Sequence, residues 1–518
     1  MKKKLFTLLL GSLLSLTACG GGSEPTKHEV DQFLPSDDPS STKTIKFWHC
    51  LGQAKTDNLE RVVTEFNRIY RNKYKVVLDP LAGDYSSLSS DVKTKLQAGS
   101  VPAMTMGYPD TFADLITNTI EYSAILRLDN FINDETFGYE VDSETGIAED
   151  FVPGYYVEGQ GYQFPGTWSM PMYKSTEILY YNQSYFCGDN PMNRAKFGDD
   201  SEWQILLAKA TKLSGNPTLY TDLQNLYNYA KGHDGYVYDV PTTWQEMKAT
   251  ANRILEEYRG DQSGFYPLGY DSDANLMISQ LEQRGFAYTT NENIVEEKDH
   301  YLFGNEQNKQ NTVDLVTEIM DMIKGKNGNG KILKTKYSNG GKYSSDDFKK
   351  IKCVMTVGST GGSTYQKSKS FVTGLAEVPC YEDDQGVKHK AFIQQGPSVC
   401  FFDNKDPYIH KGAWLFYKMM ADPEWNVELA LDNSYDPIRI SSYDTDYYNE
   451  YIESAGKNLG LEYDIPNITR TLKQYYMTSP VFKGSSTARD QIGMIISYCY
   501  ANGKTPAEAV KRAYKECY

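Results

Sequence analysis

The sequence predicts an α/β fold arranged as two lobes, and three observations support this. A β-prone run, Ile45–Trp48, is followed by apolar residues at helical spacing from Leu59 to Tyr70 and then by a second strand, Val76–Leu78. The strands of such a β-α-β unit are parallel and need helices on the faces of their sheet. Helix and strand patterns then alternate to the end of the chain. Its 518 residues exceed what one compact core normally serves, so two lobes are expected.

The elements that follow this unit carry clear end signals. A second helix over Leu88–Leu96 ends at Gly99, and the next strand begins at Val101. The Tyr/Asn-rich segment 183–240 has the character of an insertion, and the Gly/Asn/Lys-rich stretch 325–343 predicts a surface loop.

Two later helices begin at capping-box patterns. Thr242 with Gln245 marks the first of them, and Thr505 with Glu508 marks the second, close to the C-terminus. In each pair the threonine side chain is expected to accept a hydrogen bond from the first turn of the helix. These patterns therefore predict the helix starts to within a residue or two.

The N-terminus has the pattern of a bacterial lipoprotein signal. Three lysines precede an apolar run from Leu5 to Leu16, and small residues stand directly before Cys19. We expect residues 1–18 to be a signal peptide, Cys19 to be the lipidated residue and 19–43 to form a flexible linker. An ordinary cleaved signal that happens to contain a cysteine is the alternative.

Composition limits the partners. The net charge of −15 disfavours a nucleic-acid partner, whose phosphates would be repelled. After the signal, no segment has the eighteen consecutive apolar residues of a membrane-spanning helix. Seven cysteines remain besides Cys19, and they are widely spaced without a C-x-x-C pair, so neither a zinc site nor a dense disulfide framework is expected.

Several catalytic and metal-binding patterns are absent or incomplete. The histidines include no pair four residues apart, and no G-x-S-x-G elbow occurs. The stretch Gly325–Lys331 resembles a P-loop, but Ile332 stands where Ser or Thr is required. Asp271–Glu282 resembles a calcium loop, but its sixth position is Leu276 rather than Gly. We expect Asp271 or Ser272 to cap a helix there instead.

A series of short motifs follows the order seen in a known family. The motifs are Ile45–Trp48, Val62–Asn67, Gly83–Tyr85, Leu96–Ala103, Gly107–Asp110, Met170–Pro171, Leu179–Asn182, Pro241–Trp244, Met355–Ser359, Ala413–Phe416 and Pro480–Ser486. Together they resemble the family 1 extracellular solute-binding proteins. These are the lipoprotein receptors of carbohydrate ABC importers, a group that includes maltose- and glycerol-3-phosphate-binding proteins. The resemblance covers nearly all of the chain after the predicted linker.

The resemblance implies a periplasmic-binding-protein-like fold. In that fold two α/β lobes are joined by a hinge that the chain crosses three times, and the ligand lies in the cleft between them. One lobe would take about 44–152 and 378–432, and the other about 153–377 and 438–518. The segment 183–240 is longer than the family leads us to expect.

A sugar site needs flat aromatic platforms and hydrogen-bonding side chains, because sugar rings present hydroxyls at their edges and C–H groups on their faces. On the first lobe we expect this mixture from Trp48, Asp84, Tyr85, Tyr108 and Asp110. On the second lobe the candidates are Trp168, Tyr270, Asp271, Gly358, Ser359, Thr360, Tyr435 and Arg439. Trp48 could equally close a core, and Arg439 could form a surface ion pair.

The expected function is that of a non-enzymatic receptor, lipid-anchored on the extracytoplasmic face of the bacterial cell membrane. It would bind a mono- or oligosaccharide, with a phosphorylated polyol left open, close on it and present it to ABC permease subunits. We expect no cofactor, no metal, no catalytic residue and no nucleic-acid partner. Two alternatives stay open: a secreted lipoprotein enzyme acting on glycans, whose carboxylates would leave no sequence signature, and a ligand-binding sensor or adhesin.

Overall fold

The computed structural model describes most of the chain. The described residues are 29–83, 85–116, 123–187, 199–211, 218–233, 235, 237–258, 260, 263–368, 370–454 and 461–518. The predicted signal peptide, the predicted lipidation site Cys19 and the predicted ligand-binding residue Asp84 lie outside these ranges.

Fourteen β-strands occur in the described part of the chain. They are β1 Lys43–His49, β2 Tyr74–Pro80, β3 Met104–Gly107, β4 Met170–Pro171, β5 Glu177–Asn182, β6 Leu268–Tyr270, β7 Leu333–Thr335, β8 Met355–Ser359, β9 Thr373–Ala376, β10 Tyr381–Glu382, β11 Lys388–His389, β12 Phe392–Ile393, β13 Ser398–Phe401 and β14 Tyr476–Met477.

The helices alternate with these strands. Within the described ranges they are α1 Gln53–Ile69, α2 Tyr85–Gln97, α3 Pro109–Ala113, α4 Asp129–Ile132, α5 Pro153–Tyr156, α6 Gln183–Cys187, α7 Ser201–Thr211, α8 Thr218–Gly232, α9 Trp244–Glu257, α10 Asp273–Gln283, α11 Lys309–Lys324, α12 Ser344–Lys349, α13 Pro407–Met420, α14 Pro423–Leu431, α15 Asp446–Ser454, α16 Leu461–Leu472, α17 Ser485–Tyr500 and α18 Pro506–Lys515.

The first sheet has the strand order β2-β1-β3-β13-β4. Strand β1 pairs in parallel with β2 and with β3, whereas β13 runs antiparallel to β3 and β4. Helix α1 connects β1 to β2 and buries Leu59, Val62 and Phe66. The β-α-β unit predicted from the sequence is therefore confirmed. We call the part of the molecule built on this sheet the first lobe.

The second sheet has the strand order β7-β6-β8-β5-β9 and defines the second lobe. Its strands β6, β7 and β8 are parallel, and β5 runs antiparallel to β8 and β9. Each sheet has its own large apolar core. The molecule is thus a two-lobed α/β protein, as predicted.

Three distant parts of the chain run side by side between the lobes. Lys174 exchanges two backbone hydrogen bonds with Asp436, at N···O distances of 3.0 and 2.6 Å. The next residue, Ser175, exchanges two with Gln395, at 2.9 and 2.8 Å. Strands β4 and β5, which flank Lys174 and Ser175, belong to different sheets. These paired segments form the hinge region of the molecule.

The chain changes lobes later than the proposed boundaries at 152 and 377. Tyr155 and Trp168 pack in the first-lobe core, and β4 still belongs to the first sheet. Val378 and Phe392 likewise pack in the second-lobe core, before β13 returns to the first sheet. Ile438 lies in the first-lobe core, whereas the resemblance places 438–518 in the second lobe. Boundaries carried over by analogy could not specify which sheet each buried segment joins.

Residues 29–43, expected to belong to a flexible linker, pack against the first lobe. Val30 and Leu34 are buried in its core. Asp31 forms an ion pair with Arg127 at 2.6 Å, and the carbonyl oxygen of Asp37 accepts a hydrogen bond from Lys411 at 2.9 Å. The prediction of a linker is wrong for this part, because two apolar side chains in a polar stretch suffice to anchor it.

The helix starts agree closely with the sequence patterns. The capping box of Thr505 and Glu508 begins α18 as predicted. At α9 the box is formed by Thr243 and Glu246, one residue later than expected. Ser272 caps α10, accepting a hydrogen bond from the amide of Asn275 at 3.2 Å.

The insertion-like segment 183–240 has its own small apolar cluster. Its members are Cys187, Trp203, Leu226, Tyr227 and Ala230, which pack with Val372.

Among the described residues, no helix is both long and apolar enough to cross a bilayer.

Candidate functional site

The two lobes meet at the carboxyl ends of their parallel strands. From the first lobe, the chain that follows β1 contributes Lys55, and the chain that follows β3 contributes Asp110. From the second lobe, the chain that follows β8 contributes Gly361. This edge of an open α/β sheet is where ligands usually bind, since the loops there are free to carry polar groups. This contact between the lobes is therefore the candidate site.

Four tyrosines form a cluster on the first-lobe side of this contact, and we call them the tyrosine cluster. The rings of Tyr85 and Tyr108 lie 4.6 Å apart, and those of Tyr173 and Tyr435 lie 4.4 Å apart. Burial raises the pKa of all four phenols, that of Tyr435 to about 12, so they stay neutral hydrogen-bonding groups at pH 7.

The second lobe covers this cluster directly. The Nζ atom of Lys55 donates a hydrogen bond to the carbonyl oxygen of Gly361 at 3.1 Å, across the gap between the lobes. It also lies 4.7 Å from the centre of the Tyr435 ring, a cation–π distance. Burial lowers the pKa of Lys55 to about 8. The structure is therefore a conformation in which the two lobes are in contact over the tyrosine cluster.

A chain of charged and amide groups lies beside the cluster. The guanidinium of Arg489 on α17 donates to the Oδ1 atom of Asn275. Asn275 and Tyr270 in turn donate to the carboxylate of Glu177, both at 2.7 Å, and burial raises the pKa of Glu177 to about 7. Burial also raises the pKa of Asp110, and the positive charge of Arg489 opposes that shift. Opposite charges from the two lobes therefore face each other here.

Three buried polar atoms in this region have no hydrogen-bond partner among the described residues. They are Oδ1 of Asp110, the hydroxyl oxygen of Tyr173 and Oε1 of Gln366. Buried polar groups in proteins are nearly always paired. Two of these atoms come from the first lobe and one from the second, so both sides of the contact carry unpaired polar groups.

Eight predicted site residues lie at or next to this contact. Tyr85, Tyr108 and Asp110 line it from the first lobe. Tyr435 also lines it but packs in the first-lobe core rather than in the second lobe. The remaining four, at the strand ends of the second sheet, are Asp271, Gly358, Ser359 and Thr360.

Asp271 is already engaged within the second lobe. Its Oδ1 atom accepts hydrogen bonds from the amide and the hydroxyl of Ser344, at 2.7 and 2.6 Å. Its Oδ2 atom accepts one from Gln366 at 3.4 Å. Asp271 therefore positions Gln366, whose Oε1 atom is unpartnered.

Four predicted site residues are placed elsewhere. The rings of Trp48, Trp168 and Tyr270 pack in the apolar cores of their lobes, although the hydroxyl of Tyr270 reaches Glu177 beside the tyrosine cluster. Trp48 and Trp168 pack in the first-lobe core, although Trp168 was expected on the second lobe. Arg439 also belongs to the first lobe, where it pairs with Asp150 at 3.1 Å. An aromatic residue near a strand end suits a core as well as a cleft, and these rings fill the core.

Six residues of the site were not predicted from the sequence: Lys55, Tyr173, Glu177, Asn275, Gln366 and Arg489. Single polar residues on helices or strands carry no pattern that separates them from surface residues. Tyr173 had the strongest available signal, because it stands two residues after the Met170–Pro171 motif. No described group of three or more His, Cys, Asp and Glu side chains is arranged to hold a metal ion.

Several solved structures share the fold over almost their whole length. An ABC substrate-binding protein from Listeria monocytogenes in complex with cycloalternan gives a TM-score of 0.63 at 14% identity, covering 92% of this chain and 98% of that one. The GacH receptor of Streptomyces glaucescens, solved unliganded and with acarbose, gives 0.61 at 15% identity, covering 92% and 97%. UgpB from Mycobacterium tuberculosis in complex with glycerophosphocholine gives 0.62 at 13% identity, covering 92% and 97%.

Sequence comparison gives the family itself. Among curated proteins, no sequence matches this chain. Residues 61–455, well over half of the chain, match one family along their length. The match begins within α1 and includes the later first-lobe helices, the hinge segments and most of the residues at the contact between the lobes. This chain belongs to the bacterial extracellular solute-binding protein family.

Proposed function

We propose that this protein is the substrate-binding component of an ABC importer, which binds a carbohydrate between its lobes and delivers it to a membrane permease. The observation that carries the proposal is the tyrosine cluster at the contact between the lobes, with unpartnered polar atoms on both sides of it. Phenol rings pack on the C–H faces of sugars, and the adjacent hydroxyl, amide and carboxylate groups suit sugar hydroxyls.

The ligands of similar proteins support this choice. The structures that share the fold hold cycloalternan, acarbose and glycerophosphocholine, two of them carbohydrates or their analogues. The third is a phosphodiester of glycerol. A phosphorylated polyol is our second candidate ligand, because Lys55 and Arg489 bring a positive charge to the contact from each lobe.

A thermal-shift screen tests the proposal. The panel includes maltotriose, mannotriose, a set of monosaccharides, glycerol 3-phosphate and glycerophosphocholine. A ligand present at a hundred times its dissociation constant should add about 2.7 kcal/mol to the free energy of unfolding, which raises the melting temperature. Stabilisation by a sugar supports the proposal, and stabilisation by a phosphorylated polyol alone favours the second candidate. No stabilisation by any member of a broad panel would contradict both.

The same ligands separate a receptor from an enzyme. An oligosaccharide that stabilises the protein is incubated with it overnight and then analysed by chromatography. We expect the oligosaccharide to be recovered intact, because binding proteins return their ligand unchanged. Shortened products would instead identify a glycan-active enzyme and overturn the proposal.

We also propose that a lipid on Cys19 anchors the protein to the extracytoplasmic face of the membrane. The small residues before Cys19 support this, and acyl chains provide anchoring energy in proportion to their buried CH₂ groups. The Cys19→Ala variant should be released or should accumulate as the unprocessed precursor in cell fractionation. Mature Cys19→Ala protein that stays with the membrane fraction would contradict the lipid anchor.

A further inference from the structure

Helix α17 begins without a side-chain cap of its own. Its N-cap residue is Gly484, which has a φ of 98° and no side chain to accept a hydrogen bond. The first amide groups of a helix have no partner within the helix, and this end carries a partial positive charge. A helix of 16 residues with such a start needs an acceptor from elsewhere.

The acceptor comes from the opposite lobe. The Oδ1 atom of Asp114, which follows α3 in the first lobe, accepts a hydrogen bond from the amide of Gly484 at 3.2 Å. Its Oδ2 atom accepts one from the hydroxyl of Ser486 at 3.0 Å. Lys93 on α2 holds the same carboxylate through an ion pair of 2.7 Å within the first lobe. The carboxylate of Asp114 is thus held by Lys93 of its own lobe and accepts its two other hydrogen bonds from the second lobe.

We propose that Asp114 is a positioning residue that favours the closed arrangement of the lobes by capping helix α17 across the gap between them. Separation of the lobes takes the carboxylate away from the helix start and breaks both hydrogen bonds. Asp114 makes no contact with the tyrosine cluster among the described contacts, so we expect it to act on the ligand site through closure.

The consequence for binding follows from the equilibrium between open and closed lobes. The apparent dissociation constant rises in proportion as the closed, binding-competent fraction falls. Loss of the cap therefore weakens binding of every ligand by the same factor. This consequence rests on the proposed function, whereas the closure itself does not.

The test uses the full, membrane-extracted chain without added ligand and measures two positions. Hydrogen exchange of the 484–488 amides reports the cap itself. Alkylation of the Cys50 thiol, which is partly exposed and faces the tyrosine cluster, reports lobe opening at a second place. We expect Asp114→Ala to accelerate both, each by about three- to tenfold, the range expected for losing a charge-assisted helix cap.

Two further variants make the result decisive. Ser486→Ala removes one of the two bonds from the opposite lobe, and it should accelerate Cys50 alkylation less than Asp114→Ala does. The double variant should match Asp114→Ala alone, because the hydrogen bond that Ser486→Ala removes is already lost when Asp114 is replaced. Faster exchange at 484–488 with unchanged Cys50 alkylation would show a purely local cap and overturn the proposal. Additive effects in the double variant would do the same. Since no ligand is added, this outcome is independent of the sugar screen.

Discussion

At the scale of single residues, Gly361 occupies the point at which the second lobe meets the ring of Tyr435. A Cβ atom built at Gly361 would lie 2.5 Å from Cζ of that ring, closer than any real Cβ contact. Tyr435 cannot move away easily, because its ring packs against Tyr173 on one side. The absence of a side chain at 361 is therefore a condition for the observed contact between the lobes.

We expect Gly361→Ala to weaken ligand binding by about tenfold or more, since the methyl group holds the lobes apart where the ligand should be enclosed. Titration calorimetry with the best ligand of the screen measures this. Gly362→Ala is the matched control, because a Cβ there meets nothing within 4 Å. Equal affinities of the two variants would contradict a steric role for Gly361.

The hydroxyl of Tyr173 provides a second test at this scale. It is buried and has no hydrogen-bond partner among the described residues, so the free protein gains nothing from it. We expect Tyr173→Phe to leave the melting temperature of the unliganded protein unchanged or slightly higher. Ligand affinity should fall about three- to tenfold, the cost of one hydrogen bond. Unchanged affinity would mean that no ligand group pairs with this hydroxyl.

At the scale of elements, the sequence predicts the framework better than the site. The period-3.6 apolar pattern of α1 between two β-prone runs was enough to predict the first β-α-β unit, because burial sets that pattern locally. Tyr108 and Asp271, which were predicted because they follow strand ends, lie at the contact between the lobes. Lys55 and Arg489 also lie there but were not predicted, because their positions matter only through the groups that the other lobe brings near them.

The capping box at α9 shows a similar limit at one-residue precision. Two threonines, Thr242 and Thr243, precede the helix. The hydroxyl of Thr242 donates to the carboxylate of Glu246, whereas the hydroxyl of Thr243 accepts a hydrogen bond from the Glu246 amide. Only Thr243 accepts the helix amide, since α9 begins at Trp244 and Trp244 must face the second-lobe core. Sequence pattern identified the motif, and core packing selected its register.

Helix α13 contains a buried group that makes stability depend on pH. His410 is 2% exposed, and burial lowers its pKa to about 4, although Asp403 and Asp406 oppose the shift and Lys405 adds to it. The unfolded chain binds a proton near pH 6.5 and the folded protein only near pH 4. The free energy of unfolding that the neutral imidazole contributes is therefore fully present above pH 6.5 and is lost as the pH falls to 4. The loss is about 3 kcal/mol, because one pKa unit corresponds to about 1.36 kcal/mol.

We expect His410→Leu to remove this dependence. Leucine has a similar volume and no proton to bind, so the variant should gain stability relative to the parent protein as the pH is lowered from 7.5 to 4. Urea unfolding at several pH values gives the free energy of unfolding of both proteins. Subtracting the parent value from the variant value removes the contribution of other titrating groups, such as Glu177, because it is the same in both proteins. A difference between variant and parent that stays constant with pH would contradict a neutral, buried His410.

At the scale of the whole molecule, one buried ion pair ties the hinge segments together. Lys174 is fully buried and pairs with Glu158 of the first lobe. Its Nζ atom also donates to the carbonyl oxygen of Gly396 at 3.2 Å and to the hydroxyl of Ser398 at 3.0 Å. A single ammonium group therefore links the hinge segment around Lys174 to the one around Gly396, next to the paired backbone of Ser175 and Gln395.

We expect Lys174→Met to destabilise the protein by about 3–5 kcal/mol, because it leaves the Glu158 carboxylate buried without its countercharge. The double variant Lys174→Met/Glu158→Leu removes both charges and should recover most of that loss, since two desolvated ions are exchanged for apolar packing. Urea unfolding at pH 7 measures both variants, and solution scattering checks whether the lobes keep their separation. If the single variant is as stable as the parent protein, water reaches Glu158 and the pair does not hold the hinge. If the double variant is as unstable as the single one, the hydrogen bonds to Gly396 and Ser398, rather than the charge pair, join the hinge segments.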